Sequence, residues 1–208
     1  MIPRFLPLAG VLATLVVAFG WRPWLQRRRY GAYGILLFRA SGPAQHLRDA
    51  FAVALFALLL AQSLVAALAP ESLLLAQADR RAPAGLRLGL GALLMLTGLV
   101  LLVTAQLELG ASWRIGIDEA AKPGLVTSGL YGRSRNPIFL ALLIIVAGYT
   151  LLIPTLLSLA LLAGAYVGTR LQIAAEEAYL SRTYGAQYRT YAQRVGRLVP
   201  GIGKWNGQ

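Results

Sequence analysis

The chain has 208 residues, of which 57% are apolar and only 13% charged, with a mean hydropathy of +0.61. That charged share is about half of what soluble domains carry, so the composition is that of an integral membrane protein rather than a water-soluble one. There is no cysteine, and His46 is the single histidine. Disulfides and a thiol nucleophile are therefore excluded, and a zinc site or a Ser-His triad is disfavoured, so no metal partner is expected. The net charge of +12 does not point to nucleic acid, because the basic residues flank apolar runs and form no basic helix or aromatic RNA-binding motif.

Five spans follow in chain order. The first covers about Phe5 to Gly20 and is somewhat short for the ~20 residues a membrane helix needs. A cleaved signal peptide is its rival, with Arg4 as a thin basic start and small residues near Ala18. Trp21 and Trp24, following at once as interfacial anchors, favour a retained helix. Residues 21–46 are too polar to span and too aromatic for a plain loop. They predict an interfacial segment with Trp21, Trp24, Tyr30 and Tyr33 at headgroup depth and arginines on lipid phosphate. The second span is about Leu47 to Leu68 and the third about Leu86 to Leu107. Small residues in both (Ala52, Ala54, Ala57 and Ala61; Gly85, Gly89, Gly91 and Gly98) predict surfaces for close helix approach. The fourth and fifth, about Pro137 to Ile153 and Thr155 to Ile173, are separated only by Pro154. They predict a tight hairpin whose second helix continues as a polar helix to about Tyr184.

The expected fold is thus all-α: about five transmembrane helices in one domain over residues 1–208, with a C-terminal helical hairpin and a cytoplasmic helical tail. Sixteen of the twenty Lys and Arg fall on the side holding residues 21–48, 108–136 and 170–208. By the positive-inside rule that side, with the C-terminus, is cytoplasmic and the N-terminus is outside.

Three features suggest chemistry. Glu176 and Glu177 end the last apolar run, where a carboxylate is costly unless it is paired or faces a polar cavity. Adjacent helical residues point about 100° apart. One is therefore expected to face a cavity, where an ammonium-bearing ligand is the natural partner, and the other an arginine such as Arg182 or Arg133. The bland alternative is a solvated helix end. The second feature is Ser128-Gly-Leu-Tyr131-Gly-Arg133-Ser-Arg135-Asn136-Pro137, a turn entering a helix with Pro137 in its first turn. Its free N–H groups beside Asn136 suit a carboxylate or ribose hydroxyls, although lipid phosphate would serve the arginines equally. The third is Tyr184, Tyr188 and Tyr191 on one face of a basic tail.

Taken together, Leu125-Val126, Gly129, Tyr131, Arg135, Pro137, Glu176-Glu177, Leu180, Tyr184-Gly185, Tyr188, Tyr191 and Pro200 are in the order and spacing of a known pattern. It resembles the integral-membrane methyltransferases typified by isoprenylcysteine carboxyl methyltransferase and phosphatidylethanolamine N-methyltransferase. The motifs lie within residues 105–200, and LGASWRIGID (109–118) is similar to bacterial members, which implies a bacterial inner membrane. The resemblance implies S-adenosylmethionine as cofactor, held by Tyr131, Arg135, Asn136 and Phe139. Leu125 and Val126 would add backbone contacts, and Glu176 or Glu177 would receive its amino group. It also implies a small hydrophobic or lipid-like acceptor drawn from the membrane, an isoprenylcysteine-like carboxylate being one candidate. Leu130, Asn136 and Phe139 stand where the family usually has Pro, His and Tyr. Gln172 stands where the prenylcysteine enzymes have an arginine, so the catalytic candidates are Gln172 and nearby Arg170. The competing class is a non-catalytic membrane protein that organises lipid headgroups or a partner subunit. A transporter is disfavoured by the lack of ionisable residues at mid-span.

Overall fold

The computed structural model describes residues 2–39, 42–69, 83–116 and 124–205. Arg80, Arg81 and Lys122 of the charge count, and the last two residues of the 109–118 motif, lie outside them. Six helices carry the fold: α1 (Leu6–Tyr30), α2 (Pro43–Leu68), α3 (Ala84–Glu108), α4 (Pro137–Leu152), α5 (Leu156–Tyr184) and α6 (Ala186–Arg194). Helices α1, α2, α3 and α5 are long and apolar enough to cross a membrane, and α4 is an apolar helix of 16 residues packed among them. Among the described residues the only β-type contacts are two isolated bridges, Ile35 with Ile115 and Ser134 with Gly196.

The polar stretch after Trp21 does not leave the first helix as expected. It continues α1 to Tyr30, through a π-helical turn at Val16–Trp21, and stops at Gly31, whose φ of 74° is open to glycine. The reason is Arg22. Instead of reaching lipid phosphate, it is buried and donates to the carbonyls of Gln106 (3.2 Å) and Gly110 (2.7 Å). It thereby satisfies carbonyls that end α3, and its guanidinium stacks 4.6 Å from the Trp113 ring. Trp24, Tyr30 and Tyr33 are exposed at this end.

Glycine governs the closest packing, and it does so at only some of the expected positions. A Cβ on Gly98 would lie 2.5 Å from the Ile145 side chain and 2.9 Å from the Ala141 carbonyl. One on Gly91 would meet Leu152 and the Gly148 carbonyl, and one on Gly148 would lie 2.7 Å from the Gly91 carbonyl. Helices α3 and α4 therefore touch backbone to backbone, the geometry that small residues permit in lipid. Gly85 and Gly89 face open space, Ala54, Ala57 and Ala61 are exposed on α2, and Ala52, on the opposite side of the helix, borders a cavity. Leu59, Ala66, Met95, Leu102, Ala141, Ile145 and Tyr149 fill the centre.

The α4–α5 hairpin forms as Pro154 predicts. Thr155 caps α5 through reciprocal bonds with Ser158, Thr155 Oγ1 accepting from the Ser158 N–H (3.1 Å) and Ser158 Oγ from the Thr155 N–H (3.0 Å). Gln62 of α2 donates to Thr155 Oγ1 (2.6 Å) and accepts from the Tyr149 hydroxyl (2.9 Å), fastening the turn to its neighbour. Such hydrogen bonds between helices are a main adhesive where lipid offers no alternative partner.

These contacts predict opposite outcomes for two similar substitutions. Gly148→Ala should cost about 1–3 kcal/mol, because backbone must move to admit the methyl. Gly89→Ala should be neutral or slightly stabilising. Thermal unfolding of each variant in lipid nanodiscs measures the difference.

Candidate functional site

The ends of α1, α3 and α5 and the starts of α2 and α4 meet at one side of the bundle, and the sequence-predicted residues gather there. At its centre is Arg135. Its Nε and Nη2 donate to Glu177 Oε1 at 3.0 and 2.7 Å, and Arg197 Nη2 holds Glu177 Oε2 at 2.7 Å. The remaining donors of Arg135 go to the carbonyls of Ala192, Val195 and Gly203. Its backbone N–H bonds the Gly196 carbonyl (2.9 Å), and Asn136 Nδ2 bonds that of Arg197 (2.9 Å). Arg135 and Arg197 thus hold Glu177. Three segments are tied by this one junction: the loop before α4, the end of α5, and the tail.

The tail helix turns away from α5 at Gly185, where φ is 52°, so the three tyrosines do not share one continuous helix. Tyr188 and Tyr191 are buried, with Leu125, Leu180, Tyr184 and Trp205 packed round them. The Tyr191 hydroxyl donates to the Tyr131 carbonyl (2.7 Å). Burial first, then Glu177, raises its pKa against the lowering effect of Arg135, to about 12, so it remains a donor at physiological pH. Burial also pushes the Tyr131 phenol up, with Glu176 adding to the effect.

Glu176 points elsewhere. It lines a cavity of about 420 Å³ that is walled by α1, α2, α4 and α5 and by the end of α3. Phe139 and Gln172 line the same space, with Arg48 and Asp49 of α2, Gln106 of α3, and Trp113 and Arg114 beyond it. Deeper in, the walls are apolar, and Phe19 and Phe56 meet edge to face at 5.9 Å. From Leu47 to Phe56 on α2 the lining runs nine residues, or ~13 Å, which is nearly half of a ~30 Å hydrocarbon core.

The polar end has an informative balance. Glu176 accepts a hydrogen bond from Gln172 Nε2 (3.1 Å), and Gln172 Oε1 accepts from Arg48 Nε (3.2 Å). Arg48 also donates to Gln45 (2.6 Å), while Arg114 lies over the Tyr179 ring. Neither Arg48 nor Arg114 forms an ion pair with a carboxylate among the described residues. Gln106 Oε1 is buried with no hydrogen-bond partner. A carboxylate flanked by two guanidiniums that form no ion pair among the described residues fits a zwitterionic amino-acid group, and an orphaned buried amide is unusual.

Of the other predicted residues, Leu125 packs on the tail cluster, and Val126 is half-buried in the irregular stretch beside it. Arg170 is exposed on α5 and does not line the cavity, because two residues along a helix turn about 200° from Gln172. Sequence reasoning missed Glu108. Its Oε2 accepts from the Leu130 N–H (2.7 Å), and its carboxylate lies where a Cβ on Gly129 would sit, at 2.6 Å, so the loop is pinned to the end of α3. A signal existed: an acid at a helix C-terminus opposes the macrodipole unless it has a partner. Arg48 and Arg197 carried no such local signal.

Comparison with known proteins follows the same outline. Residues 86–187 match the phospholipid methyltransferase family, a segment that holds α3, the loop, the hairpin and the Glu pair. The fold of the chain resembles that of the eukaryotic intramembrane Ras methyltransferase isoprenylcysteine carboxyl methyltransferase, with a TM-score of 0.55 and 20% identity over 95% of this chain. The chain spans 63% of the length of that structure. No curated protein matches by sequence.

Glu177→Gln should be markedly destabilising. Two arginines would then face each other without their counter-charge, a loss of about 3–5 kcal/mol when a buried partner is removed. The thermal midpoint in nanodiscs reads this. A change below about 1 kcal/mol would mean that the junction behaves as a solvated pair.

Proposed function

We propose that the protein is a membrane methyltransferase that uses S-adenosylmethionine and modifies a small hydrophobic or lipid-like acceptor. The observation that carries this is the cavity itself, apolar through half a bilayer leaflet's depth and more, and ending in Glu176, Arg48, Arg114, Gln172 and Gln106. The family match supplies the reaction class, and the composition of that end supports the cofactor.

In this scheme Glu176 receives the ammonium of the cofactor, and Arg114 with Arg48 answers its carboxylate. Phe139 and Tyr131 border the remainder, and Leu125 and Val126 offer backbone contacts. Arg135, Asn136 and Glu177 act by holding the loop, α5 and the tail in one arrangement. S-adenosylmethionine, when bound, supplies an electrophilic methyl on a sulfonium. The protein contributes position: an acceptor whose chain lies along Phe19, Phe56, Leu102 and Val146 brings its polar end to the cluster at Glu176. Alignment of that kind removes much of the entropic barrier. An acceptor that is already anionic needs no general base, and Gln172, neutral and doubly hydrogen-bonded, is placed to orient its head rather than to take a proton. The excess of Lys and Arg at this end supports a cytoplasmic location for it, with the N-terminus opposite.

Calorimetric titration of S-adenosylmethionine and S-adenosylhomocysteine into protein in nanodiscs tests the proposal. Both should bind, and Glu176→Gln should weaken them roughly 10- to 100-fold, the worth of a charged hydrogen bond of about 1.5–3 kcal/mol. Absence of binding to folded wild-type protein would favour a lipid-organising role instead.

A further inference from the structure

Past the end of α6, residues 196–203 form a closed turn. The Arg197 N–H donates to the Ile202 carbonyl (2.8 Å) and the Ile202 N–H to the Val199 carbonyl (3.1 Å). Gly201 and Gly203 take φ of 80° and 71°, and a Cβ on Gly196 would collide with the Val199 and Ile202 carbonyls. The chain folds back this tightly because those positions are glycine. A turn so constrained nevertheless leaves two large apolar side chains outside: Val199 is 45% and Ile202 67% exposed.

The depth of the turn follows from what it is tied to. Ser134 bridges with Gly196, and the Arg135 N–H donates to the Gly196 carbonyl (2.9 Å). Asn136 Nδ2 donates to the Arg197 carbonyl (2.9 Å) and Arg135 Nη2 to that of Gly203 (3.1 Å). All three partners lie within three residues of Pro137, where the apolar helix α4 begins. The base of the turn is therefore at the edge of the apolar layer. Charge around it has one sign. Arg194 and Lys204 flank the turn in the chain and Arg133 precedes Ser134; all three are exposed, and none pairs with a carboxylate among the described residues. The carboxylates of the described residues, Asp49, Glu108, Glu176 and Glu177, are all buried or half-buried.

We propose that this turn docks on the membrane that the protein itself spans. Val199 and Ile202 enter the boundary between headgroups and acyl chains, and Arg133, Arg194 and Lys204 lie on anionic phospholipid headgroups. Apolar side chains held at that depth leave water by entering lipid, and basic ones gain from an anionic leaflet. A preformed turn loses little freedom on docking. An acidic soluble partner would match the charges as well, but the tie to the first residues before α4 favours the bilayer. The turn also gives Arg135 and Asn136 three of their carbonyl partners, so its seat on the membrane steadies the junction. The proposal rests on the membrane character of the fold and is independent of the cofactor and the acceptor.

Because the chain has no cysteine, a single thiol is easily introduced. Ile202→Cys carrying a nitroxide is reconstituted in vesicles of phosphatidylcholine with phosphatidylglycerol, and in pure phosphatidylcholine. Power-saturation electron paramagnetic resonance then compares collisions with oxygen, which concentrates in lipid, and with a neutral nickel chelate, which stays in water. The oxygen-to-nickel ratio should be several-fold higher in the anionic vesicles than in the neutral ones. Arg133→Gln, Arg194→Gln and Lys204→Gln together should lower it to the neutral-vesicle value. Val199→Cys gives the same measurement if the first variant fails to fold. A ratio typical of water in both membranes, or an equal ratio in the two, would overturn the proposal. So would a label shielded from both reagents and freed on diluting the protein in lipid, since a second copy of the chain would then cover the turn. None of these outcomes involves S-adenosylmethionine, so failure here is distinct from failure of the calorimetric titration.

Discussion

The architecture of this protein's site depends on a guanidinium buried at the membrane edge. Arg135 is almost inaccessible, and a bare charge there would cost several kcal/mol. Every donor direction is answered: two bonds go to Glu177 and the rest to carbonyls of the tail. Arg197 closes the other side of the carboxylate. Removing the tail, the loop or the end of α5 would each leave a buried charge unmatched, so the three are held as a unit. The net value of such a junction in water is small, but its geometric demand is high, and here that demand fixes where the end of α5 lies. Because Glu177 is committed to it, the next carboxylate round the helix, Glu176, faces the cavity.

Polar groups elsewhere follow the same economy. Arg22 closes the end of α3, Glu108 holds the Gly129 turn, and Gln62 with Thr155 holds the hairpin turn at the opposite end. Each strong polar group among these is answered by backbone or by another helix, as an interior bounded by lipid requires. Against that background the cluster lining the cavity stands apart. Among the described residues Arg48 and Arg114 form no ion pair with a carboxylate, and Gln106 has an unsatisfied oxygen, beside a cavity that leaves room for a ligand.

Much of this was legible in the sequence because it is local. Apolar run lengths located the apolar helices, Pro154 the hairpin, and Pro137 the start of α4. Two adjacent glutamates at a helix end implied divided roles, and the structure sends Glu177 to arginines and Glu176 to a cavity. Partner choice was not legible. Arg135 and Glu177 are 42 residues apart, Arg22 and Gln106 84, and Arg48 and Gln172 124, and nothing in a local pattern selects among twenty basic residues. The same limit explains the first helix. Residues 22–30 look interfacial by composition, but burial of Arg22 against α3 carries the helix through them. It also explains the alanines of α2, whose composition permits close packing although all four are exposed.

The most direct test of the account is the position of the ligand. A structure solved with S-adenosylhomocysteine in nanodiscs should show its amino-acid end against Glu176, Arg114 and Arg48, with the Arg135–Glu177–Arg197 junction intact beside it. Density lodged instead among the tail tyrosines, or bound by Glu177 with Arg135 displaced, would contradict the division of roles on which the account rests.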